Sequence, residues 1–242
     1  MEATKKQVVS NICSVAIIYR ALDPRQIFIE IKDDGYPMKR FRRRLCLIGG
    51  NWIGEHAKND LTTRRTLERE IGEELSFEKG MVSTVELKLL GFDVTKEFYV
   101  VPKSDLAPTE DEKRMLSGLK EAITKNLFHF GDFVNVIPKS VLDEADPENK
   151  RNGVQALASY WAVGLNELDW ADIAALQKRF GNLSNESVTL ITSLDELIET
   201  ETEVAFGHDQ PLKEFFLSKG LGNAGEMPTI KDITSTPIEN PP

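Results

Sequence analysis

The stretch Thr62–Leu75 constrains the fold more than any other part of the chain. Leu67, Ile71 and Leu75 recur at i, i+4 and i+8, one apolar stripe of an α-helix. Off that stripe, Glu70, Glu73 and Glu74 stand at i, i+3 and i+4 with Arg69 beside them, so three carboxylates share a face. Carboxylates crowded on one turn repel each other unless a cation sits among them. A hard divalent metal, which prefers oxygen ligands, is the simplest such partner. Just upstream, Leu45-Cys46-Leu47-Ile48 reads as a buried strand running into Gly49-Gly50, a bend with open backbone carbonyls. A strand, a glycine bend and an acidic helix together describe a metal site suited to phosphate chemistry.

Glu-rich helices are often no more than solvated faces. Here the carboxylates do not alternate with Lys at i+4, as a salt-bridged surface helix would have them. Gly72 sits inside the helix, where it costs about 1 kcal/mol relative to Ala, and this points to close packing or the close approach of a ligand or loop.

These residues resemble the Nudix hydrolases, whose box is written G-x5-E-x7-R-E-U-x-E-E-x-G-U with U bulky and apolar. Arg69-Glu70, Ile71, Glu73-Glu74 and Phe77 match its second half position by position, and Gly49-Gly50 looks like its opening. The chain departs from the box in two places. The loop Asn51–Leu61 is about five residues too long, so the first Glu falls on Leu61, with Asp60 and Glu55 as alternative replacements. The closing Gly is Ser76.

The resemblance implies an α/β/α sandwich with a mixed sheet. It also implies cleavage of the diphosphate linkage of a nucleoside diphosphate derivative, with Mg²⁺ or Mn²⁺ as cofactor. Glu73 and Glu74 would be the main metal ligands, Glu70 a ligand or base, and the carbonyl of Gly49 or Gly50 would complete the shell. Arg69 would orient the carboxylates through a bidentate ion pair. A further acidic residue on a later loop is expected, and Glu186 is the candidate, ahead of Asp143 and Glu144. Among substrate contacts, Trp52 in the enlarged loop can stack on a base. The basic run Lys39–Arg44, with Arg44 nearest the Gly-Gly strand, either draws in phosphates or is a solvated strand end. The alternative function is a catalytically weak Nudix-like domain that binds a nucleotide metabolite or a protein partner.

Composition narrows the partners. A formal charge of -9 argues against nonspecific binding to a nucleic-acid backbone, though not against a nucleotide substrate. Cys13 and Cys46 lie in apolar strand-like segments and read as free thiols of a reducing compartment. The segment MEATKKQVVS lacks the apolar core of a signal peptide, and no apolar run approaches the length of a membrane span. A cytoplasmic protein with a small-molecule nucleotide-type substrate and no membrane partner is expected, with a homodimer as one option.

Residues 1–220 read as a single domain. Val8–Tyr19 and Gln26–Lys32 are strands, as are Val85–Gly91 and Lys96–Pro102. Glu110–Leu127 is helical in period and lies within a candidate insertion at about 104–153. Val154–Leu165 fits either strand or helix, and Asp169–Phe180 fits helix. Val188–Thr192 is a short strand before a helix capped by Ser193. Gly207–Leu217 is a final helix with Asp209 as cap, and residues 221–242 read as a poorly ordered tail.

Overall fold

The computed structural model of the protein describes residues 11–32, 36–42, 44–52, 61–77, 107–145, 147–148, 153–199, 203–221 and 231–232. The strands expected at Val85–Gly91 and Lys96–Pro102, and both Glu55 and Asp60, lie outside them. Among the described residues the strands are β1 Asn11–Arg20, β2 Asp23–Ile31, β3 Leu45–Cys46, β4 Ile48–Asn51, β5 Phe128–Pro138, β6 Gly153–Leu165, β7 Val188–Ser193, β8 Glu203–Val204 and β9 Lys231–Asp232. The helices are α1 Thr63–Glu74, α2 Glu110–Asn126, α3 Lys139–Ala145, α4 Glu167–Phe180, α5 Leu194–Glu199 and α6 Asp209–Ser218.

One sheet runs in the order β5-β6-β1-β2-β3-β8-β9, with β4 added to β1 and β7 to β2. It is mixed: β1 runs parallel to β6 but antiparallel to β2 and β4. One edge of β1 is divided. Its residues Cys13–Ala16 pair with β4, and Ile18–Arg20 pair with β2. Past that division β2 takes β7 along its length from Gln26 to Ile31.

The two faces of the sheet carry separate cores. On one, Ile17, Ile29, Tyr160 and Leu190 pack against Leu194 and Leu197 of α5 and Leu212, Phe215 and Phe216 of α6. On the other, Ala16, Ile18, Phe28 and Ile48 meet α1 through Leu67, Ile71 and Leu75, α2 through Leu119 and Ile123, and α4 through Ile173 and Leu176. Each fully buried Leu, Ile or Phe contributes about 1.5–3 kcal/mol, so the apolar stripe of α1 fixes which way that helix faces. The result is the expected mixed α/β/α sandwich. No described helix is long and apolar enough to cross a membrane.

Local sequence explains most of the boundaries. The Thr109 hydroxyl accepts from Glu112 N–H while Glu112 returns a bond to Thr109 N–H, a capping box that starts α2. Ser193 Oγ accepts from Glu196 N–H at 3.2 Å and caps α5 as expected. Val154–Leu165 resolves as strand, because it is buried between β5 and β1 and bonded to both. The stretch 104–153 supplies β5 to the same sheet and α2 to the same core. In the tail, Lys231–Asp232 pairs with β8.

Three expectations need correction. Gly49 and Gly50 are not a bend but strand residues of β4, paired with Val15 and Ser14; the strand breaks two residues before Gly49, at Leu47. Gly72 is not closely packed against any described residue, since a Cβ there would meet nothing of theirs within 4 Å. Asp209 is the first residue of α6, not its cap; His208 holds that position without a side-chain capping bond.

A candidate carboxylate site

The site is assembled by α1 lying across β4. The Thr62 hydroxyl accepts from Arg65 N–H at 3.2 Å and starts the helix, and the buried stripe then sets its rotation. Glu70 and Glu74, one turn apart, are turned down toward the strand, whereas the Glu73 side chain is 59% exposed. The inward pair meets two adjacent glycines. A Cβ on Gly50 would fall 2.5 Å from the Glu70 carboxyl carbon, so the carboxylate occupies space that only glycine leaves. Gly49 N–H donates to Glu74 Oε2 at 3.1 Å. Gly49 itself has φ +137°, and a Cβ would press against the Ser14 carbonyl and within 2.8 Å of Val15 Cα.

Arg69 forms the outer rim. Its Nη2 lies 2.7 Å from Glu70 Oε1 and 2.9 Å from the Asn51 carbonyl oxygen, and its Nη1 lies 2.9 Å from Glu73 Oε2. It therefore bridges two carboxylates and the end of β4.

A loop brings the fourth acidic residue. Asn185 clamps the C-terminus of α1, donating Nδ2–H to the Glu73 carbonyl at 2.9 Å and its own N–H to the Glu74 carbonyl at 2.8 Å. Ser76 N–H donates back to the Leu183 carbonyl at 2.9 Å. Inside the loop the Ser184 hydroxyl accepts from Glu186 and Ser187 N–H. Asn182 is buried, with Nδ2 donating to the Ser184 and Ser187 carbonyls and Oδ1 accepting from Ser184 and Thr189 N–H. Gln177 of α4 completes this network, donating to the Gly181 and Thr189 carbonyls and accepting from the Thr189 hydroxyl. Glu186 is thereby held close enough for its charge to be felt by Glu70 and Glu74.

Under the helix lie two residues the sequence reading did not single out. Glu30 and Lys32 alternate with Ile29 and Ile31 on β2 and its end, and both are buried beneath the site. Lys32 Nζ lies 3.2 Å from Glu30 Oε2 and donates to Ser187 Oγ at 2.9 Å. The other oxygen of Glu30, Oε1, is buried with no hydrogen-bond partner among the described residues.

The charge balance is negative. Burial, then repulsion from Glu30, pushes the Glu74 carboxyl well above its ordinary value; Lys32 counters in part, and Glu70 and Glu186 add to the rise. Glu70 is also raised, by burial first, against the opposing pull of Arg69. Burial opposes the charge of Lys32, but the acids around it hold its pKa well above normal. Burial also pushes the neighbouring Cys46 thiol up.

The remaining expected residues divide. Trp52 follows β4 directly, is partly exposed, and donates its N–H to the Ile12 carbonyl. Arg44 is not aimed at the carboxylates: its guanidinium is ion-paired with Glu203 of β8. Lys39–Phe41 form a 3-10 turn that buries Phe41, and Arg42 Nε donates to the Tyr36 carbonyl at 2.6 Å. Asp143, on α3, is paired with Lys139. Cys13 and Cys46 are both free thiols. His208 is structural: buried, its Nδ1 accepts from Leu47 N–H at 3.0 Å, and burial pushes its pKa down to about 3.

No protein-family model matches this chain, and no curated protein matches it in sequence. Solved structures do align with it. The Nudix domain of Shewanella oneidensis NrtR, complexed with ADP ribose, is 9% identical with a TM-score of 0.44, over 90% of this chain and 94% of that one. A bifunctional NMN adenylyltransferase/ADP ribose pyrophosphatase from Francisella tularensis is 11% identical with a TM-score of 0.39, over 90% of this chain. The chain spans 43% of the length of that protein. The same Francisella protein complexed with AMP and a Mn ion aligns at 10% identity and a TM-score of 0.38. These are distant likenesses of form, and the site geometry stands without them.

Proposed function

We propose that the protein is a divalent-metal-dependent hydrolase that cleaves the diphosphate linkage of a nucleoside diphosphate derivative. The observation that carries this reading is the burial of Glu70 and Glu74 against the glycines of β4, with Glu30 and Glu186 adding negative charge around them. Buried acidic groups with raised pKa values and too little positive charge around them mark a candidate site for a cation.

The donor chemistry fits Mg²⁺ or Mn²⁺, since all the groups are hard oxygens. Among the described residues no three acidic, His or Cys side chains converge to enclose an ion by themselves. That suits an open site, in which Glu70, Glu73 and Glu74, with the carbonyl of Gly50, supply part of the shell and substrate phosphates and water supply the rest. When bound, the metal would offset phosphate charge and lower the pKa of a bound water. Arg69 keeps Glu70 and Glu73 oriented, and Glu186 or Glu70 accepts the proton of the attacking water. Trp52, beside the rim, offers its indole to a base or ribose.

The test is product release from a panel of nucleoside diphosphate derivatives, ADP-ribose included, with Mg²⁺ or Mn²⁺, beside Glu70→Gln and Glu74→Gln. Turnover lost in both variants upholds the reading; variants as active as wild type overturn it. The second reading, a weak or inactive domain that binds a nucleotide metabolite or a partner, draws support from the open geometry and from Ser76 in place of the box Gly. Tight metabolite binding without turnover by the wild type would select it.

A further inference from the structure

Lys32 is a buried cation to which the chemistry above gives no part. It has two anchors in different elements: Glu30 on its own strand, and Ser187 on the loop that carries Glu186. The ring of Tyr36 lies 5.7 Å from its ammonium on a third side. Ser187 ends that loop, one residue before β7, whose Val188 pairs with Ile31 of β2. The Ser187 N–H is held by Ser184 Oγ, its carbonyl accepts from Asn182, and its hydroxyl accepts from Lys32. The first two bonds stay within the loop, whereas the third reaches the sheet floor. At the other side Asn185 fastens the same loop to the last turn of α1. Glu186 thus stands between one anchor to the helix and one anchor to the sheet.

We propose that Lys32 is a positioning residue, an internal tether from β2 to Ser187 that keeps Glu186 beside Glu70 and Glu74. The assignment rests on the hydrolase reading for its functional meaning, but the tether itself can be judged without turnover. Its chemical logic is that a buried ammonium with a fixed carboxylate on one side presents its remaining N–H donors in one direction only. A loop hydroxyl meeting that donor is held in a single register. Electrostatics adds a second link, since the Lys32 charge also reaches Glu74.

Substituting Lys32 alone would strand the Glu30 charge and risk misfolding. The experiment therefore uses Glu30→Leu with Lys32→Met, which removes both charges at once, after circular dichroism has shown the variant folded. Amide hydrogen exchange is then read along the chain. The Glu186 and Ser187 amides are expected to exchange at least about tenfold faster, with Ile27–Ile29 of β2 unchanged. Unchanged exchange at Glu186 and Ser187 in the folded variant overturns the tether.

The second readout is a cycle with Glu186→Gln, scored on kcat and on Mn²⁺ affinity measured by titration calorimetry. If Lys32 acts through Ser187 on Glu186, adding Ser187→Ala, which removes the tether's acceptor and leaves Glu30 in place, to Glu186→Gln causes no further loss; losses that multiply overturn the proposal. Should Glu186→Gln alone leave wild-type turnover intact, Glu186 drops out of the proposed site. The exchange rates at Glu186 and Ser187 would still decide for or against the tether.

Discussion

Two buried polar groups flank the loop Asn182–Ser187, and they are built on opposite principles. The Gln177–Asn182–Thr189 network is complete: both buried side-chain amides use their donors and their acceptor oxygens. The Glu30–Glu70–Glu74 group is incomplete. One Glu30 oxygen has no partner among the described residues, two carboxyls are pushed up in pKa, and Lys32 and Arg69 offset only part of the charge. A neutral network that satisfies itself holds a loop in place. A carboxylate group left short of positive charge is where the proposed metal would bind. The first kind supports the second, because the complete network carries Glu186 to the incomplete one.

The largest expected effect lies on the incomplete side. Glu70→Gln keeps the shape of the carboxyl group against Gly50 and removes its charge, so kcat/KM should fall by about 10²–10³-fold, or about 2.7–4 kcal/mol. Steady-state assays with Mn²⁺ measure it. Little change in urea unfolding of the same variant would confirm that the group serves binding and not the fold.

Next comes the complete side. Asn182→Ala strips bonds from two buried carbonyls and two buried N–H groups, and should cost about 2–3 kcal/mol of stability by urea denaturation. A cost near zero would break the contrast between the two groups.

A smaller effect concerns pH. The folded-state pKa of Glu74 lies above its ordinary 4.5, so the folded protein binds the proton more tightly than the unfolded chain. Metal-free stability from this group is then full below about 4.5 and is lost as pH rises through the raised value. Glu74→Gln should flatten that loss, and saturating Mn²⁺ should reverse it in the wild type. Thermal unfolding across pH, with and without the ion, reads both outcomes.

The smallest lies outside both groups. Gly72→Ala, at an exposed helix position with open space for a Cβ, should stabilise the protein by about 1 kcal/mol and leave activity unchanged. A loss of activity would show that Gly72 serves the site after all.

The legible part of the molecule was the part whose periodicity is local. The stripe Leu67, Ile71 and Leu75 fixes the rotation of α1, so its acidic face could be read before its surroundings were known. Ser193 and the acidic start of α5 were legible for the same reason. Glu30 and Lys32 were not. In QIFIEIK they alternate with isoleucines as the solvated face of a half-buried strand would, whereas Ser187 and Glu74, both distant in sequence, are among the groups gathered around them. The Asn182–Ser187 segment reads as an ordinary polar loop, because its bonds reach α4, β2 and α1, far away in sequence. Gly49-Gly50 read as a bend because glycines usually turn chains. Here their missing side chains instead let β4 lie against β1 and under Glu70.

The parallel pairing of β1 with β6 also governs when this arrangement can come into being. Ten residues from Asn11 to Arg20 find their partners at Ala156–Leu165, across most of the chain. Contacts of such separation are slow to form, because the entropy of closing the intervening chain is lost before the strand bonds are gained. β4 hangs from the other edge of that same β1, and the Glu186 loop arrives later still in the sequence. During synthesis the acidic helix therefore emerges after its floor strands β2 and β4, but well before β6 and the Asn182–Ser187 clamp. The site is among the last things the folding chain completes, and until then its carboxylates remain in water, where their charges cost nothing.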